Sequence, residues 1–134
     1  IYNKNLKISY SKYGSPQLDN NQFVSISHSI EFVVIILSNK KIGVDIEKIS
    51  KKTQNILPKF SNKKHLTIEE STLVWCIKEA VFKFYEKGNI DFIKDIEIPE
   101  LNIYKKNIKI KLKSKELKAT FFKLEDYFLA YVCN

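Results

Sequence analysis

Three acidic side chains stand where they could hold a cation. In Gly43-Val44-Asp45-Ile46-Glu47 acid and apolar residues alternate; in a strand this puts Asp45 and Glu47 on one face and Val44 and Ile46 on the other. Two carboxylates so close repel unless they are solvated, hydrogen-bonded or bridged, and carboxylate oxygens are ligands that Mg²⁺ prefers. The same alternation occurs on ordinary exposed strands, so the pair alone decides nothing. A second group lies in Trp75-Cys76-Ile77-Lys78-Glu79-Ala80-Val81-Phe82-Lys83. Glu79 and Lys83 are four apart and can pair on a helix surface, an interaction worth roughly a few tenths of a kcal/mol. Only if Glu79 faces the strand acids does it join them. His28, between Ser27 and Ser29 at the expected end of a strand, could meet phosphate oxygens or be a plain turn histidine.

Other chemistries fit poorly. Ser27-His28-Ser29 lacks the Gly-x-Ser-x-Gly elbow that presents a hydrolase nucleophile. His28, His65, Cys76 and Cys133 stand at no structural-zinc spacing. There is no glycine-rich phosphate loop, so phosphate handling falls to lysines, hydroxyls and a metal.

The positioning elements follow from periodicity. Residues 1–21 combine a short alternating piece, Leu6–Tyr10, with a turn-rich stretch around Gly14-Ser15-Pro16 to which we assign no site chemistry. Phe23–Ile26 and Phe32–Leu37 read as strands flanking Ser27–Ser29, and Ile42–Ile46 as the next strand. A weak helix over Gln54–Phe60 is interrupted by Pro58. The clearest helix starts at Thr67, capped with Glu70 in a capping box, and is expected to reach about Lys87 with Gly88 as its stop. Leu73, Ile77, Val81 and Phe84 give it an apolar stripe. Beyond Pro99, Ile108–Leu112, Ala119–Leu124 and Tyr127–Val132 form a closing antiparallel meander. The expected fold is α+β, an antiparallel sheet packed on a long helix, with residues 1–41 closing a first half and 42–134 forming the second.

Composition bounds the function. At 134 residues, 44% hydrophobic and 28% charged, the chain fits one compact domain able to bury roughly two-thirds of its unfolded surface. All 23 basic residues are lysines and the net charge is +8. Lysines scattered between apolar residues, with no arginine fork, argue against a nucleic-acid reader and for a basic surface that steers acidic or phosphorylated partners. The apolar run Phe32–Leu37 is far below the ~20 residues of a membrane helix, and the two cysteines suit a reducing, cytoplasmic setting. With no methionine and Ile1 in front, the chain is read as lacking its natural start.

Taken in order, Ser25-Ile26-Ser27-His28-Ser29, Gly43-Val44-Asp45-Ile46-Glu47 and Trp75-Cys76-Ile77-Lys78-Glu79-Ala80 with Lys83 resemble the 4′-phosphopantetheinyl transferase superfamily. Because the SISHS segment precedes GVDIE, the likeness is nearer the two-halved class that activates synthetases of the surfactin kind than the short trimeric holo-acyl-carrier-protein synthases. The resemblance implies Mg²⁺ held by Asp45, Glu47 and Glu79. It also implies coenzyme A phosphates met by His28 and Lys78, Lys83 along the same groove, and Ser27 at the 3′-phosphate. The implied reaction moves the phosphopantetheine arm onto a serine of an apo acyl or peptidyl carrier protein of fatty-acid, polyketide or nonribosomal-peptide biosynthesis. It releases 3′,5′-ADP, with Lys78 steadying the phosphoryl oxygens and Glu79 or a water taking the proton. A longer native chain would be a monomer, whereas this length alone would complete its site by self-association, since the basic residues expected to grip adenine are mostly missing. The rival readings are a metal-free basic module that only docks an acidic carrier protein or nucleotide, and a nucleic-acid binder.

Overall fold

A computed structural model describes residues 5–134; the first four residues of the expected 1–41 segment lie outside them. The fold is α+β, as the periodicity implies, but its strands form two antiparallel sheets. The first has the order β1 (Ile8–Tyr10), β2 (Pro16–Leu18), β3 (Phe23–His28), β4 (Val33–Ser38). The chain then enters β5 (Ile42–Lys48), α1 (Lys51–Asn55), a 3₁₀ turn at Leu57–Lys59, and the long α2 (Ile68–Tyr85). It closes with β6 (Ile96–Glu97), β7 (Asn107–Leu112), β8 (Lys115–Leu124) and β9 (Tyr127–Cys133). The second sheet runs β5-β9-β8-β7-β6, so the last strand returns to pair with the first along Ile42–Lys48.

The meander follows its sequence pattern. Ile108, Ile110 and Leu112 of β7, with Leu117, Ala119 and Phe121 of β8, are buried while the lysines between them point outward. They pack on α2, whose Leu73, Val74, Cys76, Ile77, Ala80 and Val81 are fully buried. Thr67 caps α2 in the expected box: its Oγ1 accepts the Glu70 N–H at 3.1 Å, and Glu70 Oε2 accepts the Thr67 N–H at 2.8 Å. The stop differs from expectation. α2 ends at Tyr85, and Glu86 already takes the left-handed conformation with φ 63°, two residues before Gly88 at φ 61°; the Glu86 N–H bonds to the Phe82 carbonyl at 3.3 Å. Pro58 lies in the 3₁₀ turn rather than in a helix, and α1 precedes it.

β5 is the strand on which the molecule converges. α2 covers it, and at Gly43 the approach is backbone to backbone: a Cβ there would fall on the Ala80 carbonyl oxygen and the Phe84 nitrogen. β3 lies along the other edge of β5 without pairing to it as a ladder. Instead Ser25 Oγ accepts the Val44 N–H at 2.9 Å and Ser27 Oγ accepts the Ile46 N–H at 3.2 Å. Two hydroxyls thus satisfy buried donors that would otherwise lack partners, and join the two sheets. Among the described residues no helix is long and apolar enough to cross a membrane.

Replacement of Gly43 by alanine must push α2 off β5, because both atoms it meets are backbone. Overpacking of this kind costs about 3 kcal/mol, so Gly43→Ala should lower the urea midpoint strongly, whereas Gly14→Ala, with open space around its Cβ, should cost about 1 kcal/mol for its positive φ.

Candidate active site

Helical spacing sets Trp75, Glu79 and Lys83 on one face of α2, and that face looks onto β5. Asp45, only 4% exposed, is the centre. Its Oδ1 accepts the Ser27 hydroxyl at 2.8 Å and the Lys83 ammonium at 2.8 Å, while its Oδ2 is buried with no hydrogen-bond partner. Glu47 Oε1 accepts the Trp75 indole N–H at 3.0 Å. The acids act on one another: burial and then the charge of Asp45 push Glu47 up to about 7. Burial and Asp45 likewise push Glu79 up to about 7, against the opposing pull of Lys83. The pairing of Lys83 with Glu79 considered from sequence gives way to a tertiary ion pair with Asp45. Cys76, whose thiol donates to the Asp45 and Phe128 carbonyls at 3.4 and 3.5 Å, is held well above its usual range by burial and is chemically quiet.

This donor set fits a divalent cation by charge and by the bare Oδ2. A buried carboxylate oxygen without a donor is costly, and two further carboxyls raised by burial and then by the charge of Asp45 gain from a positive ion. Asp45, Glu47 and Glu79 are the residues that could hold it. They are not closed into a ready cluster, since among the described residues no three metal-ligating side chains converge as one. Glu47 is tied to Trp75 and Asp45 to Lys83, and both must adjust to share an ion.

The other expected residues divide. Ser27 donates its hydroxyl to Asp45 Oδ1 and accepts the Ile46 N–H, so in this structure it positions the aspartate. His28 is exposed at the end of β3, opposite Val33. Lys78 is not brought to the cluster. It is buried, its Nζ donates to the carbonyls of Phe92 and, at 2.8 Å, Ile96, and burial followed by the charge of Lys63 lowers it to about 8.

Lys83 also lines a groove of about 250 Å³, walled by Ser25, Phe82 and, opposite, Tyr13, Gly14, Ser15 and Pro16. That turn carried no chemistry in the sequence reading. It is built by Ser11, whose Oγ accepts the N–H of Tyr13 and of Ser15 at 3.2 Å each, with Gly14 at φ +82°. Turn spacing marks it as rigid; only the tertiary fold brings it to Lys83. Trp75, also missed as a site residue, stands four before Glu79, a spacing from which its face could have been read.

The family described as the 4′-phosphopantetheinyl transferase superfamily matches residues 41–132, and the chain belongs to it. It is similar to the 4′-phosphopantetheinyl transferase gsp of Aneurinibacillus migulanus, 32% identical over 123 residues, covering 81% of this chain and 52% of that protein. The chain thus spans about half the length of this curated relative.

The raised carboxyls fix the sign of a pH dependence. Between their ordinary 4.5 and about 7 the folded form holds protons that the unfolded form has released, so the two groups stabilise the fold below 4.5 and lose that contribution as pH rises through 7. In divalent-free buffer the urea midpoint should fall over this interval for the wild type. Glu79→Gln should flatten the fall; an unchanged slope would show that Glu79 is not raised.

Proposed function

We propose that this chain transfers the 4′-phosphopantetheine arm of coenzyme A to a serine of an apo carrier protein, with Mg²⁺ as cofactor and 3′,5′-ADP as leaving product. The observation that carries the reading is the buried Asp45 with one oxygen bare, beside Glu47, Glu79 and Lys83 and next to a groove. Membership of the superfamily supports the reaction class.

Asp45, Glu47 and Glu79 would hold the cation, which would supply positive charge to the pyrophosphate. Lys83, the ammonium nearest the acids, offsets phosphate charge. The groove between Tyr13–Pro16 and Phe82–Lys83 receives part of coenzyme A, with Tyr13 and Phe82 offering ring faces to a flat group. His28, exposed at the end of β3, is free to reach a phosphate oxygen. Glu79, on the α2 face that looks onto β5, is our candidate to accept the serine proton. The basic surface steers an acidic carrier protein toward the site. Both cysteines are free, which suits a cytoplasmic setting.

Incubation with coenzyme A, Mg²⁺ and an apo carrier protein should add the mass of the arm to the carrier, and Asp45→Ala should slow this about 100-fold or more. No transfer by the wild type, together with equal Mg²⁺–coenzyme A binding by wild type and Asp45→Ala in calorimetry, would overturn the proposal in favour of a docking module.

A further inference from the structure

Lys78 is a charged side chain only 4% exposed, and among the described residues no carboxylate forms an ion pair with it. A buried ammonium without a paired carboxylate is costly; the Asp91 charge reaches Lys78 only from a distance, and its hydrogen-bond partners are two backbone carbonyls, those of Phe92 and Ile96. Phe92 belongs to the connection between α2 and β6, a turn that is well bonded within itself, and Ile96 is the first residue of β6. Asp91 Oδ1 accepts the N–H groups of Ile93 and Lys94 at 2.8 and 3.0 Å, and the Asp95 N–H bonds to the Asp91 carbonyl at 2.8 Å. Internal bonds set the shape of the turn but not its place. Its place is set by Lys78 and by the Lys113 N–H on the Asp95 carbonyl at 2.7 Å.

What the turn delivers is the Phe92 ring. It lies 5.6 Å from the Trp75 ring and 5.8 Å from Phe82, while Phe60 closes on Trp75 from another side at 5.1 Å. Trp75 in turn donates to Glu47. We propose that Lys78 is a positioning residue: by pinning the Phe92 and Ile96 carbonyls it seats Phe92 on Trp75, and so fixes the indole that aims Glu47 at the acidic site. Its importance for transfer rests on the function proposed above, but its effect on Trp75 does not.

Trp75 is the single tryptophan of the chain, so tryptophan fluorescence reports the surroundings of this one ring. In the substrate-free protein Lys78→Met should shift the emission to the red and increase acrylamide quenching. In the transfer assay it should lower kcat about tenfold or more, with KM for coenzyme A within about twofold. If circular dichroism finds Lys78→Met unfolded, Phe92→Leu, which leaves Lys78 in place, carries the test with the same fluorescence change expected. Unchanged emission and quenching in a folded variant would overturn the proposal. So would a raised KM for coenzyme A with kcat intact, which would return Lys78 to the phosphates. A wild type without transferase activity would sink the proposed function and leave the fluorescence test standing.

Discussion

A carboxylate taken out of water must find donors, and the burial of Asp45 sets the terms for everything around it. Desolvating such an ion costs several kcal/mol even after the protein relaxes. Ser27 and Lys83 together offset this at one oxygen. Supplying them requires β3, β5 and α2 to meet within hydrogen-bond reach. Gly43 allows the helix backbone onto β5, and the Ser25 and Ser27 hydroxyls replace a backbone ladder along its edge. The contacts that join the two sheets are therefore the same contacts that build the site.

The second oxygen of Asp45 is left bare, and that imbalance gives the site its chemistry. Glu47 and Glu79 lie within reach of the charge of Asp45, which Lys83 pairs at its other oxygen, and both are raised to about 7. Such an arrangement costs stability and gains from a cation, as expected of a place tuned for function rather than for packing. The net charge of +8 is opposite in sign to this acidic site.

Much of this was legible in the sequence, and what was not has physical causes. The alternation in Gly43–Glu47 placed Asp45 and Glu47 on one face, and the Thr67–Glu70 box set the start of α2. Its end was misread because Glu86, a non-glycine residue, adopts the left-handed conformation two positions before the glycine. β2 and β6, of three and two residues, are too short to show a period of two. The partner of Lys83 lies 38 residues away, beyond any local pattern, whereas Glu79 at four residues was the obvious local choice. Ser25 and Ser27 look like ordinary strand polar residues; their work at the edge of β5 exists only once the two sheets meet. The resemblance implied Lys78 at the coenzyme A phosphates; in the fold its Nζ donates to the Phe92 and Ile96 carbonyls, partners that no local pattern announces.

The central claim is that Asp45, with Glu47 and Glu79, is a divalent-cation site for coenzyme A chemistry. Anomalous scattering from a crystal grown with Mn²⁺ and coenzyme A tests it most directly. The account predicts a peak beside Asp45 Oδ2 and in contact with the coenzyme A pyrophosphate, with Lys83 released from Oδ1 toward phosphate. A peak elsewhere, or bound coenzyme A with Lys83 still on Asp45 and no metal beside it, would contradict the account.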